Sequence, residues 1–327
     1  MKPTVLSAVA LAALGMPAFG LLAGSSAGSS AFAADMVVKA PPPVVAAPSP
    51  WDIAFGAAVM NDYIFRGITQ SNHKPSVAAY FEPRFNITKN VQLYAGIAGE
   101  SISFANRAAA EIDFYGGIRP TFGPVQFDFG YWYYYYPGGT CFGGTDLACL
   151  PALPNTNVIK SVNDFWEVYA KASYAPIEPL SLGLNFYYSP NFLNTGASGE
   201  YLSGTAKYTF PTLANGVGFY ISGELGHQWL GTTDAFYGNA LFPNGVDLKD
   251  YTTWNVGIGI TYKVFTLDLR YSDTDLSKGD CNAFTGDPGA SGIANVTPIN
   301  TGGLGSRWCG AAFIAKLSAD LTLDSLK

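Results

Sequence analysis

Charge is scarce in this 327-residue chain, with Lys, Arg, Asp and Glu together making 13%. An ordinary soluble domain carries roughly 25%, so a conventional solvated surface all round is not what this composition builds. Long apolar runs are scarce as well. Beyond the N-terminus no stretch of about 18 apolar residues occurs, which leaves no candidate for a transmembrane helix in the main body. There are only two histidines and four cysteines, with no CxxC pair, so a zinc cluster is not expected, nor any other metal or cofactor. A formal net charge of −6 weighs against nucleic acid as a partner. What is abundant is aromatic side chains, 15% of the chain, and glycine, 37 residues. Low charge, many rings and no helical span point to membrane β-structure.

The first residues have the layout of an export signal: Lys2, then the apolar "VLSAVALAALGMPAFGLLAG", then small residues "AFAAD". Residues 1–34 are therefore expected to be a signal peptide, cleaved near Ala33 or Ala34. Residues 35–50, "DMVVKAPPPVVAAPSP", form a Pro-rich periplasmic linker that should be extended. An exported protein meets an oxidising compartment, so Cys141, Cys149, Cys281 and Cys309 are read as disulfides. Four cysteines permit three connectivities. Local pairing, Cys141 with Cys149 and Cys281 with Cys309, is expected because each bond would stiffen one exposed loop.

From Trp51 onward the pattern has period two. "EIDFYGGI" sets Ile112, Phe114 and Ile118 against Glu111, Asp113 and Tyr115; "TWNVGIGITYKV" sets Trp254, Val256, Ile258 and Ile260 against Asn255, Gly257, Gly259 and Thr261. One apolar face and one polar-or-glycine face mark half-buried strands. About twelve such segments begin near Trp51, Ser76, Asn90, Ala109, Val125, Asp164, Leu180, Glu200, Gly216, Asp250, Phe265 and Arg307. Links after the even-numbered ones are short ("TKN", "FGP", "PIEP", "TLANG"), while those after the odd-numbered ones are mostly long. Short periplasmic turns alternating with long extracellular loops are the signature of an outer-membrane barrel. The expected fold is thus all-β, an antiparallel transmembrane up-and-down β-barrel of about 12 strands over residues 51–327.

In hydrocarbon every backbone polar group needs an internal partner, and a closed barrel supplies one without leaving an edge. The apolar phase then faces lipid and the polar phase faces the lumen. Glu82, Arg84, Glu111, Asp113, Arg119, Asp128, Glu167, Lys171, Lys207, Glu224, Asp268, Arg270 and Lys316 all take the polar phase, and with Trp132 they are the candidate pore lining. In "FDFGYWYYYYPGG" the residues Phe127, Phe129, Tyr131, Tyr133 and Tyr135 share the outward face, Phe at hydrocarbon depth and Tyr at the headgroups. The expected interfacial girdle is Tyr63, Phe65, Tyr131, Tyr133 and Trp229. The inward half, Trp132, Tyr134 and Tyr136, is where a constriction is expected.

"NDYIFRGITQSNHKPSV", residues 61–77, resembles the opening signature of the TorF-type porin family of proteobacterial outer-membrane β-barrels, a family whose porin role is itself assigned by inference. Weaker echoes occur at "EIDFYGGIRPTFGPVQFDFGYWYYYYPG", "FWEVYAKASYAPI" and "LDLRYSDTDLSKGDC", so the resemblance covers most of the chain after Trp51 in order. It implies an outer-membrane barrel acting as a porin. One departure is the ending "LTLDSLK", which lacks the terminal aromatic that many barrels present to the assembly machinery.

Three functions compete. A passive channel for small hydrophilic solutes or ions would use the polar lumen. A surface-recognition barrel without conductance would use the cysteine-bearing loops. An outer-membrane enzyme would need a base beside a nucleophile, but His73 has no Ser-centred motif and His227 shares the outward phase of Ile221 and Leu225. Glu111 and Asp113 share one face, which interior charge of both signs accounts for without catalysis. The expectation is a porin-like channel in the outer membrane, not an enzyme, with lipid, small solutes and the barrel assembly machinery as partners.

Overall fold

A computed structural model describes residues 50–143 and 147–326. The signal peptide and nearly all of the linker therefore lie outside the described residues. In chain order the elements are β1 (Trp51–Met60), a small hairpin of β2 (Ile64–Phe65) and β3 (Ile68–Thr69), β4 (Ser76–Thr88), β5 (Val91–Glu100), β6 (Glu111–Phe122), β7 (Val125–Tyr135), β8 (Phe165–Ile177), β9 (Leu180–Ser189), β10 (Gly199–Thr209), β11 (Val217–Leu230), β12 (Tyr251–Tyr262), β13 (Phe265–Thr274), helix α1 (Lys278–Thr285) and β14 (Ala312–Thr322).

All strands except β2 and β3 pair antiparallel with their sequence neighbours, and β1 closes the ring by pairing with both β4 and β14. The result is the expected twelve-stranded up-and-down barrel. Strand starts agree with the alternation to within two residues, save the last. The final strand begins at Ala312, not near Arg307, because Trp308 and Cys309 are held in a buried cluster with Ile68, Tyr251 and Cys281. No helix among the described residues is long and apolar enough to cross a membrane.

Burial follows the strand period with its sense inverted relative to a soluble protein. Outward Leu225, Val256 and Ile258 are 62%, 59% and 55% exposed, whereas inward Glu111, Glu167 and Asp268 are 2%, 0% and 5% exposed. The barrel strands are tilted, as closure requires. One hydrogen-bonded row of inward residues, Arg84, Tyr94, Gly117, Gly130, Tyr169, Tyr187, Tyr201 and Gln228, climbs from the short-turn end on β4 to the long-loop end on β11. Glycine has a packing role on this face. The hydroxyls of Tyr94 and Tyr169 meet where a Cβ on Gly117 or Gly130 would collide with them, so these rings lie along the wall.

The hydrophobic core sits at the long-loop end. Tyr134, Tyr136, Phe165 and Phe192 are buried together, with Phe65, Phe104, Trp132 and Phe284 packed against them. Disulfides Cys141–Cys149 and Cys281–Cys309 fasten the loops following β7 and β13.

Candidate functional site in the barrel lumen

The loop after β1 does not stand away from the barrel. Its "IFRGIT" segment forms the β2–β3 hairpin, with Arg66 and Gly67 both at positive φ (46° and 79°). Two-residue hairpins favour such turns because their twist matches that of the flanking strands. A Cβ on Gly67 would collide with Thr253 and Thr274 of β12 and β13, so the tip of the hairpin lies against the inner wall.

Arg66 at this tip reaches the climbing row. Its Nη1 and Nη2 donate to Glu167 Oε1 and Oε2 at 2.9 and 2.7 Å, and Nη1 also donates to Gln228 Oε1 at 3.0 Å. The guanidinium carbon lies 4.5 Å from the Tyr201 ring centre and 4.9 Å from that of Tyr187. Burial works against the Arg66 cation, but Glu167 outweighs it, and the guanidinium pKa is raised above its ordinary value. Bidentate pairing and ring stacking are the two tasks for which arginine is suited and lysine is not. Tyr63, from the same loop, donates its hydroxyl to Glu111 Oε1 at 2.6 Å. Burial first and the Glu111 charge second push its pKa well up, so it remains a donor.

The loop is also stitched to its surroundings. Asp62 accepts from Thr69 Oγ1 and Ser71 Oγ and pairs with His73 Nδ1 at 2.7 Å, while the other ring nitrogen of His73 meets the Arg307 carbonyl at 3.1 Å. Trp308 Nε1 donates to Asn72 Oδ1 at 3.0 Å. Both nitrogens of His73 are thus engaged in holding loops. His227 lies on the outer face beside Trp229, its Nδ1 2.9 Å from Thr252 Oγ1.

The candidate lining residues all lie on inner faces and gather into groups. On β4–β7, Arg119 grips Glu82 (2.9 and 3.2 Å) and Asp128 (3.2 Å), and Arg84 reaches Glu82 at 2.6 Å. On the far wall, Arg270 pairs with Asp268 at 3.0 and 2.9 Å, and Tyr220 donates to the same carboxylate at 2.7 Å. Lys316 stands opposite Asp268 across β13–β14. Lys207 caps the Tyr220 ring, Lys171 lies over Tyr169 and Tyr187, and Glu224 accepts from Tyr201 at 3.0 Å. Trp132 stacks on Tyr115 with ring centres 4.1 Å apart. Glu111, Asp113 and Glu167 stand apart from these groups, near the hairpin.

The lumen differs along its length. At the short-turn end Asn86, Gln92, Arg119 and Gln126 line a polar recess of about 110 Å³. At the level of the hairpin, Glu167, Gln228, Tyr201 and Tyr134 are 0–5% exposed, so their inward side chains meet protein, not water.

Two girdle residues are corrected by this geometry. Tyr63 and Phe65 are inside the mouth, bonded to Glu111 and packed on Tyr134 respectively, because the Arg66–Gly67 turn folds the segment inward. Tyr131, Tyr133 and Trp229 lie on the outer face. The alternation missed Arg66, whose loop has no strand phase, and also Tyr187, Tyr201 and Gln228. Glu100 was missed although it takes the polar phase of "VQLYAGIAGE".

No curated protein matches the chain in sequence. Among solved structures it is similar to LpxR from Salmonella typhimurium, at 11% identity over 82% of this chain and 99% of that one, TM-score 0.37. OmpT, an outer membrane protein of Vibrio cholerae, gives 10% identity over 84% and 98%, TM-score 0.37. Salmonella typhi OmpF in complex with daunomycin gives 10% over 84% and 96%, TM-score 0.30. Likeness at this level transfers no function. A family model matches residues 45–298, most of the barrel. The chain belongs to the Gcw_chp family, bacterial proteins of unknown function.

Proposed function

We propose that this protein is an outer-membrane β-barrel of porin-like type whose channel is closed, in the conformation described, by its own first loop. The membrane reading rests on the inverted burial: an apolar outer band with Tyr131, Tyr133 and Trp229 toward one end, and strand charge gathered on the inner face except at the loop-end rim, where Glu200 and Asp273 face outward. That arrangement is stable only against lipid. The resemblance of residues 61–77 to the TorF-type porin signature supports the same reading, and those residues make up the plugging loop. The observation that carries the proposal is the bidentate Arg66–Glu167 pair inside the lumen. A charge pair withdrawn from water at such cost, on a two-residue turn, suits a stopper held by a defined lock. With the stopper displaced, the mixed acidic and basic lining would pass small hydrophilic solutes or ions.

A second reading is a non-conducting barrel whose loops recognise a surface partner. The near-complete burial at the hairpin level and the two disulfide-braced loops favour it. Planar-bilayer recording separates the two. Porin-like protein shows discrete conductance steps, rare in the native chain and frequent when the Arg66–Glu167 pair is broken. A recognition barrel stays silent in both cases.

A further inference from the structure

Glu82, Asp128, Glu167 and Asp268 each have a basic partner in the lumen, but three clustered acids at the long-loop end do not. Glu100, the last residue of β5, stands directly opposite Glu111 at the start of β6, with Asp113 opposite Ala98 on the same inner face. One carboxylate oxygen from each lies within 4.8 Å of the other two. The three residues are 8%, 2% and 3% exposed. No ion pair among the described residues includes any of them.

Glu111 is held in place, its two oxygens accepting from Tyr63 at 2.6 Å and Tyr136 at 2.8 Å. The other two are not. Glu100 Oε2 and Asp113 Oδ1 are buried without any hydrogen-bond partner, and Glu100 is more than nine-tenths buried with its carboxylate aimed into the group. Like charges directly opposite on neighbouring strands destabilise the pair, and a buried acceptor without a donor carries its full desolvation cost. Interior charge of both signs therefore does not account for these carboxylates, as it does for Glu82 or Asp268. The countercharge has to come from outside the chain.

We propose that Glu100, Glu111 and Asp113 bind a divalent cation of the calcium type at the outer mouth of the lumen. Carboxylate oxygen alone, with no imidazole or thiolate, selects a hard cation. Calcium takes oxygens at about 2.3–2.6 Å, so two of its ligands stand at most about 5 Å apart, which matches the spread of this group. Mono- or bidentate carboxylates can supply several of its oxygens. Tyr63 and Tyr136 hold Glu111 from behind, as outer-shell donors orient a metal ligand. Because Tyr63 belongs to the plugging loop, the ion fastens that loop to the β5–β6 wall. The site does not depend on whether the barrel conducts.

The test uses the purified full chain in detergent at neutral pH, titrated with Ca²⁺ by calorimetry and with Tb³⁺ by luminescence. Trp132 is the diagonal neighbour of Asp113 across β6–β7 and should sensitise Tb³⁺ emission. The expected result is one saturable ion per chain, bound at least about tenfold more weakly in both Glu100→Gln and Asp113→Asn. In EDTA, Glu100→Gln should raise the thermal midpoint of the heat-modifiable gel shift, since it removes a repelling charge, and Ca²⁺ should no longer move that midpoint. With excitation at the red edge of tryptophan absorption, where Tyr63 and Tyr136 do not absorb, Trp132→Phe should abolish most Tb³⁺ emission while keeping Ca²⁺ affinity, an arm that stands even if a carboxyl variant fails to fold. Absence of saturable binding in the native chain would mean that protons neutralise the group, and overturns the proposal. Unchanged affinity in both carboxyl variants, or full tryptophan-excited Tb³⁺ emission from Trp132→Phe, would overturn it equally.

Discussion

Glu167→Gln is the perturbation that bears most directly on the loop. Gln is nearly isosteric and keeps one acceptor for Arg66, but it removes the charge that two guanidinium nitrogens now share at 2.7–2.9 Å. Arg66 would then be a cation with a 5% exposed side chain and no anion beside it. Removing one partner of a buried pair costs about 3–5 kcal/mol. The Tyr187 and Tyr201 faces return part of this through cation–π attraction, about 0.5–2 kcal/mol, and they do so in the native chain as well, so the difference stands. The loss falls on the plugged conformation alone, because a displaced Arg66 is solvated. At 1.4 kcal/mol per tenfold, the unplugged population should rise by roughly two to three and a half powers of ten. Single-channel recording in planar bilayers reads this as open probability. Equal open probability in the native protein and Glu167→Gln would refute the reasoning, since the pair would then not hold the loop.

Three further outcomes follow from the same structure. A side chain at Gly259 would collide with the Tyr220 ring, so Gly259→Val should destabilise the barrel by about 1–3 kcal/mol, seen as a lower midpoint of heat modification. Phe129 faces outward at 45% exposure while Leu147 protrudes from a loop. Phe129→Arg should cost about 2–4 kcal/mol in vesicle folding titrations, and Leu147→Arg should change stability by no more than about 0.5 kcal/mol. Cys281 and Cys309 lie 28 residues apart, against 8 for Cys141 and Cys149. Chain entropy then assigns about 3.6 and about 2.6 kcal/mol to the two bonds, so reduction should expose the loop after β13 to proteases before the loop after β7, with the barrel strands staying protected.

Much of this was legible in the sequence. Period-two alternation and the in-phase link lengths depend on local chemistry, so strand number, facing and the polar lumen emerged from residues such as Ile258 against Gly259. The phase of "FDFGYWYYYYPGG" likewise separated outward Tyr131 and Tyr133 from inward Trp132 and Tyr134. What escaped was what strand phase alone does not place. Tyr63 and Phe65 read as part of the interfacial girdle, and only the positive-φ turn at Arg66–Gly67 sends them inward. Arg66 in a loop gives no sign of where it points, and the row from Arg84 to Gln228 exists because the barrel closes with tilt. Glu100 is a different omission, since its phase was readable. Its meaning became apparent only when register set it opposite Glu111 with no ion pair to it among the described residues.

Replacing residues 62–73 with a short Gly-Ser connection shows whether the first loop closes an otherwise conductive lumen. Folding is checked by heat modifiability, and single-channel conductance is then compared with that of the native chain. The native barrel should be mostly closed and the loop-replaced barrel should show steady, discrete conductance. Steady conductance in the native chain, or silence from the folded loop-replaced barrel, would contradict closure by the loop.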